Sequence, residues 1–186
     1  MQRRTALLAV LTASAAWTGH AQSSVALAGQ VRRGGVLMIR HTSTEPGLGD
    51  PPGFTLGQCQ TQRNLSEAGR AEARAIGAWF ARHGLQAQAV LSSQWCRCLD
   101  TARLALGRVE AWPALNSTFA GQGQPERQLA ELRERLRRLP AVTLEVWVTH
   151  QVIMTALTEA YPAMGEGFLV DPQGRLIARG MMAADA

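Results

Sequence analysis

Four basic side chains that could carry chemistry follow three separate apolar segments of the chain. Arg40 and His41 come directly after the apolar run 36–39, and Thr149 and His150 follow another such run, 146–148. Arg97 lies a few residues beyond a third run. Short runs of this kind are typical of buried parallel strands, whose carboxyl ends meet at one edge of a sheet. We therefore expect the two guanidiniums and two imidazoles to lie close together.

Such a set of side chains suits phosphoryl transfer. Guanidinium groups bind phosphate oxygens through paired hydrogen bonds and stabilise the charge of the transferring group. A neutral imidazole can attack phosphorus in line and form a covalent phosphohistidine. Because these side chains supply the positive charge themselves, we predict a reaction that needs no metal ion and no cofactor.

The hydrophobic pattern predicts alternating strands and helices around these residues. Strands are expected over 36–39, 89–92 and 142–149, and two late strands over 167–170 and 175–179 flank a Pro-Gly turn. The predicted helices run from Ser66 to about Arg82, from Gln94 to Leu106, from Glu126 to Leu139 and over 151–160. This order predicts a three-layer α/β/α sandwich with a mainly parallel central sheet and a late β-hairpin.

The N-terminus has the pattern of an export signal. Arg3 and Arg4 precede an uncharged apolar segment, and small residues lead to a cleavage site after Ala21. We predict a signal peptide over 1–21, a tail or linker over 22–34 and one domain over 35–186, exported to the periplasm. Without the two arginines the charge falls from +5 to +3, which argues against nucleic acid as a partner. No later segment is predicted to be an integral membrane span.

Three cysteines would meet an oxidising environment after export. Cys96 and Cys98 are too close on one segment to bridge comfortably, so a disulfide is expected from Cys59 to either of them. No second closely spaced Cys or His pair accompanies them, so a zinc site is not predicted.

Four ordered motifs resemble those of the histidine phosphatase superfamily, branch 1, also called phosphoglycerate mutase-like. Arg40-His41-Thr42 resembles the family's R-H-G signature, and Val148-Thr149-His150 resembles its second histidine motif. Between them lie a similar loop-to-helix segment, 62–70, and a match to the S-S-x-x-x-R…T-A motif at Ser92, Ser93, Arg97, Thr101 and Ala102. The resemblance covers roughly residues 36–160 and implies a phosphoglycerate mutase-like fold and a phosphatase.

The resemblance implies a role for each matched residue. His41 would be the phosphorylated nucleophile, and Arg40 and Arg97 would clamp the phosphoryl oxygens. His150 would donate a hydrogen bond to a transferring oxygen. Arg63 would reach the substrate or support the pocket.

Two further residues are candidates for the substrate site. Ser92, or its neighbour Ser93, would bind substrate or orient the turn, and Trp95 would contact substrate or pack beside it. The chain lacks the large cap insertions of phytase-like members, and its size resembles that of exported heptose phosphatases of the lipopolysaccharide core. We therefore expect a small-molecule or glycan phosphoester as substrate, and the oligomeric state stays open.

The family's general acid has no clear counterpart in this sequence. Thr42 replaces the glycine of R-H-G, Ser43 stands where many members have an acid, and residues 115–119 contain none. Glu126 and Glu166 are the candidate substitutes. A missing acid would slow esters with poor leaving groups most, because their leaving oxygen needs a proton.

Two other classes of function stay open. A protein that keeps the clamp but lacks the acid could bind a phosphorylated ligand without hydrolysing it. A metal-dependent hydrolase could instead use His41, Asp50 and His150 as ligands.

Overall fold

The central sheet has six strands within residues 24–185, the part of the chain that the computed structural model describes. The strands, in chain order, are β1 Gly35–Arg40, β2 Ala89–Ser92, β3 Glu110–Ala111, β4 Leu144–Thr149, β5 Glu166–Val170 and β6 Leu176–Met181. Their order across the sheet is β3-β2-β4-β1-β5-β6. The first four strands pair in parallel, and β5 and β6 form an antiparallel hairpin against β1.

Helices cover both faces of this sheet. Successive strand residues point in opposite directions, so each buried strand contributes apolar side chains to both faces. Leu37 and Ile39 of β1 belong to one apolar cluster, and Val36 and Met38 belong to the other. The first cluster lies under α1 Ser24–Val31, α2 Glu67–Arg82 and α3 Cys96–Leu106, and the second lies under α4 Pro125–Arg138 and α5 Gln151–Thr158. The predicted three-layer sandwich with a mainly parallel sheet and a late hairpin is confirmed.

Strand register brings the predicted site residues to one edge of the sheet. Arg40 pairs with Thr149 across β1 and β4, and the His41 amide donates to the Thr149 carbonyl at 3.0 Å. The Ser93 amide, just beyond β2, donates to the Val148 carbonyl at 2.9 Å. The ends of three parallel strands therefore open onto the same space.

The start of α2 packs closely against the segment that follows β1. Ser66 caps the helix as predicted, and its Oγ accepts a hydrogen bond from the Gly69 amide at 3.1 Å. A Cβ on Gly69 would lie 1.8 Å from the Ser43 carbonyl oxygen. Glycine at this position is what permits the close approach.

Two elements differ from the sequence-based prediction. Residues 24–31, expected to be part of a tail, form α1, whose Leu27, Ala28 and Val31 are buried in the core. This apolar face is only one turn long, which is too short to stand out in a sequence of small residues. The two-residue strand β3 carries no hydrophobic alternation and was not predicted.

The predicted signal peptide over 1–21 lies outside the described residues. Among the residues that are described, no helix combines the length and apolar character needed to cross a bilayer.

Candidate active site

His41 is a buried, neutral imidazole at the end of β1. It is 3% exposed, and its Nδ1 lies 3.0 Å from the Thr42 carbonyl oxygen. In the tautomer that this carbonyl selects, Nδ1–H donates and Nε2 keeps its lone pair. Burial, reinforced by the charge of Arg97, lowers the pKa of His41 to about 3. The side chain is therefore unprotonated and nucleophilic at neutral pH.

Arg97 lies in the first turn of α3 and makes a two-point ion pair with Asp50. Its Nη1 lies 2.7 Å from Asp50 Oδ1, and its Nη2 lies 3.2 Å from Oδ2. The side chains of both residues are no more than 5% exposed. Nη1 also donates to the Arg63 carbonyl at 3.3 Å, but Nε has no partner among the described residues. Arg97 is thus held in place by Asp50, and its buried Nε–H is the donor without a partner among the described residues.

Asp50 is the functional residue whose role the sequence did not indicate. Besides Arg97, it accepts hydrogen bonds from Trp95 Nε1 at 2.9 Å and from the Arg63 amide at 3.0 Å. Burial alone would raise the pKa of Asp50, but the hydrogen bonds and charge of Arg97 outweigh it and keep the pKa below its ordinary value. Asp50 is therefore an ionised anchor for Arg97 and not a proton donor.

The interpretation of Asp50 as a metal ligand with His41 and His150 does not fit this geometry. Both Asp50 oxygens are engaged by Arg97 and Trp95. Within residues 24–185, no three His, Cys, Asp or Glu side chains are grouped so that they could hold a metal ion.

His150 faces His41 across the pocket, with 5.5 Å between the ring centroids. Its Nε2 lies 2.8 Å from Ser93 Oγ, which in turn donates to Asn116 Oδ1 at 3.2 Å. Burial, then the charge of Arg97, lowers the pKa of His150 well below its usual value. The ring is thus neutral, with Nδ1 on the side of Arg97 Nη2 at 3.5 Å.

Arg40 and Arg63 complete the positive wall of the pocket. Arg40 Nη1 donates to the Pro162 carbonyl at 2.9 Å. Arg63 Nη1 donates to Thr44 Oγ1 at 2.6 Å and to the Gly47 carbonyl at 3.0 Å. The Nε atoms of both arginines are buried and have no partner in the described part of the chain. Burial lowers the pKa of both guanidiniums.

These side chains line one cavity of about 170 Å³. It contains both histidines, Arg40, Arg63, Arg97 and Asp50. Larger concavities of about 620 Å³ beside α4 and about 700 Å³ beside the β5–β6 hairpin contain neither histidine. We therefore place the candidate site in the smaller cavity, on the strength of its chemistry rather than its size.

Two predicted substrate contacts lie behind the cavity instead. Ser92 is fully buried, and its Oγ donates to the Ser93 carbonyl at 2.8 Å. Trp95 is 3% exposed, and its ring packs against His150 at 5.2 Å between centroids. For each residue the structure favours the alternative that does not involve substrate: Ser92 is part of the β2–α3 turn, and Trp95 packs beside the site. The turn directs both side chains inward, where Trp95 contacts His150, and Ser93, the residue after Ser92, hydrogen-bonds to His150.

The two candidate general acids are also absent from the cavity lining. Glu166 is buried against Arg179, whose Nε lies 2.7 Å from Glu166 Oε1. Glu126 is exposed in the first turn of α4. Neither could protonate a leaving group at His41, so both candidate assignments are corrected.

The Cys59–Cys96 disulfide connects the loop after β1 to the start of α3. Cys98 is a free, buried thiol, and burial raises its pKa to about 12. Of the two pairings open at the sequence level, the structure contains the one with Cys96. Residues two apart on a helix point to nearly opposite sides, so only one of this pair can face the loop.

Comparisons with known proteins show the family to which the chain is related. A family model described as "Histidine phosphatase superfamily (branch 1)" matches residues 36–164. No curated protein sequence matches the chain.

Solved structures of related fold are similar over most of the chain at low identity. The protein histidine phosphatase SixA, complexed with tungstate, is 16% identical with a TM-score of 0.55, over 81% of this chain and 99% of its own. A candidate α-ribazole-5′-P phosphatase from Escherichia coli K-12 is 16% identical with a TM-score of 0.56, over 80% and 96%. The protein TTHB049 from Thermus thermophilus is 22% identical with a TM-score of 0.51, over 77% and 97%.

At these identities, similarity to solved structures shows only the fold. The match to the family model covers more than half of the sequence and therefore shows the family. The chain belongs to branch 1 of the histidine phosphatase superfamily.

Proposed function

We propose that this protein is an exported phosphatase that hydrolyses phosphomonoesters through a phosphohistidine on His41, without a metal ion. One observation carries the proposal. Arg40, Arg63 and Arg97 line the same cavity as His41, whose buried imidazole is neutral because its pKa is lowered to about 3. Guanidinium groups bind phosphate oxygens, and a neutral imidazole is the nucleophile that the reaction needs.

The reaction proceeds in two displacements. In the first, the Nε2 lone pair of His41 attacks phosphorus, the ester P–O bond breaks, and its electron pair leaves with the alcohol oxygen. In the second, water attacks phosphorus and loses a proton to solvent. The P–N bond then breaks, and its electron pair returns to His41.

The arginine side chains stabilise both displacements. They surround the three equatorial oxygens, over which the charge of the transferring group is spread, and the neutral His150 lines the same cavity. Asp50 keeps Arg97 aligned throughout. The protein histidine phosphatase SixA, whose fold is similar, is complexed with tungstate, an anion with the tetrahedral shape and negative charge of phosphate.

Export to the periplasm is part of the proposal. The basic and apolar pattern of residues 1–21 supports it, and so does the Cys59–Cys96 disulfide, since such bonds persist in oxidising compartments. The substrate would be a small-molecule or glycan phosphoester from that compartment.

The second candidate function is binding of a phosphorylated ligand without turnover. It is favoured by one specific observation: Asp50, the one carboxylate lining the described cavity, is committed to Arg97. A protein of this kind would bind inorganic phosphate but would not hydrolyse any ester.

The test is hydrolysis of p-nitrophenyl phosphate in excess chelator. This substrate has a good leaving group, so a missing general acid would not hide the activity. We expect turnover that resists the chelator, that is abolished in His41→Ala, and that persists in the matched variant His83→Ala, which changes a histidine at the far end of α2. Phosphate binding by folded protein without any turnover would favour the second candidate, and loss of turnover in chelator would contradict metal independence.

A further inference from the structure

The mouth of the phosphoryl cavity is lined by large apolar side chains that point into solvent. Leu48 is 87% exposed, Tyr161 66% and Phe119 42%, and all three line the cavity together with Val152. They come from three different loops and the start of α5. Exposed apolar groups gathered beside a polar pocket are typical of a ligand-binding surface.

This apolar rim is defined here as Leu48, Phe119, Val152 and Tyr161, and two of its loops are connected to the phosphoryl site. A Cβ on Gly49 would lie 3.3 Å from Phe119 Cε1, so the loop that carries Leu48 touches the loop that carries Phe119. The next residue, Asp50, anchors the first loop to Arg97 at 2.7 Å. Leu48 and Phe119 are therefore connected to the phosphoryl site by this packing and by the ion pair between Asp50 and Arg97.

No side chain in the described cavity could protonate that leaving group as a carboxylic acid. Asp50 is ionised and its oxygens are engaged by Arg97 and Trp95. Besides the rim, the arginines and the histidines, the cavity is lined by the uncharged side chains of Ser117, Gln122 and Gln151. A positioned general acid typically contributes about 10²–10⁴-fold to such a step.

We propose that, of the substrate classes named above, the substrates are small-molecule aryl phosphates and not glycan phosphates: their aromatic ring lies on the apolar rim, and their phenolic oxygen departs without help from a carboxylic acid. This rests on the proposed phosphatase function. As His41 Nε2 bonds to phosphorus, the P–O bond breaks, its electron pair goes to the phenolic oxygen, and the phenoxide later takes a proton from solvent. A phenol has a pKa of about 10, far below the pKa of a simple alcohol or of water. Only the first is a tolerable unprotonated leaving group.

The experiment is steady-state kinetics of the full chain on phenyl phosphate, glucose 6-phosphate and acetyl phosphate. Phenyl phosphate combines a ring with a good leaving group, glucose 6-phosphate has neither, and acetyl phosphate has a good leaving group without a ring. We expect kcat/KM for phenyl phosphate to exceed that for glucose 6-phosphate by at least about 100-fold. In Tyr161→Ser and Phe119→Ser, the ratio of kcat/KM for phenyl phosphate to that for acetyl phosphate should fall roughly 2- to 10-fold each.

Val142→Ser is the matched control, because Val142 is 79% exposed and does not line the cavity. Retained circular dichroism and phosphate binding establish that each rim variant is folded. A second measurement uses a series of substituted phenyl phosphates, for which log kcat/KM should fall steeply as the leaving-group pKa rises.

Three results would overturn the inference. Hydrolysis of glucose 6-phosphate within about 10-fold of phenyl phosphate would show that a leaving group is protonated in the site. An unaltered substrate ratio in both rim variants would show that the rim does not contact the ring. Absence of turnover with all three substrates would contradict the proposed function itself, and the inference would fail with it.

Discussion

Replacing Asp50 should reveal how much of the site depends on the anchoring of Arg97. The side chains of the pair are at most 5% exposed, with contacts of 2.7 and 3.2 Å. Removing one member of a buried ion pair leaves an uncompensated charge and costs about 3–5 kcal/mol. We expect that loss in Asp50→Ala, and about 1–3 kcal/mol in Asp50→Asn, which keeps the shape and one acceptor oxygen.

These losses are large but should leave the protein folded. Domains of this size have a total stability of about 5–15 kcal/mol, and each kcal/mol lowers Tm by about 2–4 °C. Asp50→Ala should therefore lower Tm by about 6–20 °C. Because Arg97 loses its fixed position, kcat/KM for p-nitrophenyl phosphate should fall about 10²–10³-fold in either variant, as when an oxyanion donor is displaced.

The assay combines urea unfolding with phosphatase kinetics and product inhibition by inorganic phosphate. Asp100→Asn is the matched control, because Asp100 lies on the same helix in partly exposed contacts of 3.6 Å with Arg70 and Arg103. Its stability should change by less than about 0.5 kcal/mol. Tighter phosphate inhibition and higher kcat/KM in Asp50→Asn would refute the reasoning, because Asp50 would then be a competitor for the clamp and not its support.

Three further predictions concern stability and thiol chemistry. His41 has a folded pKa of about 3, below its unfolded value of about 6.5, so the unfolded state binds the proton first as the pH falls. The free energy of unfolding should thus decrease below about pH 6.5 by up to ~1.4 kcal/mol per pH unit for this residue, and His41→Asn should flatten the profile measured by urea titration. The Cys59–Cys96 bridge spans 37 residues, so the double variant Cys59→Ser/Cys96→Ser should lose about 2–4 kcal/mol. Thiol titration should find no reactive group in the native protein, one after unfolding and three after unfolding with reductant; three in the unfolded, unreduced protein would contradict the Cys59–Cys96 bridge. Gly69→Ala should severely destabilise the protein, because its Cβ would lie 1.8 Å from Ser43 O, whereas Gly29→Ala in α1, with nothing within 4 Å, should stabilise it by about 0.5–1 kcal/mol in thermal melts.

Much of the sheet and the basic cluster could be predicted because each depends on local pattern. Residues 36–39 of β1 and 146–148 of β4 are continuous apolar runs, since both faces of these strands are covered. Arg40 and His41 directly follow the first run, and His150 lies one residue beyond the second. Parallel pairing then brings them to one edge without any further information.

The remaining parts of the site depend on contacts between distant segments. Asp50 lies in a loop without periodicity, and its position is set by Arg97, Trp95 and the Arg63 amide, none of them near it in the sequence. Ser92 could not be separated from Ser93 because the direction of each side chain depends on the β2–α3 turn. Glu166 looked free in the sequence, but the hairpin partner strand brings Arg179 to it.

The most direct test of the account is to trap the phosphorylated enzyme. The full chain would be mixed with a phosphoester in excess chelator, quenched within milliseconds in alkali, and digested for mass spectrometry. We predict one base-stable, acid-labile phosphoryl group on His41, absent from His41→Ala and present in His83→Ala. Turnover without any phosphohistidine, or a phosphoryl group on another residue, would contradict His41 as the nucleophile.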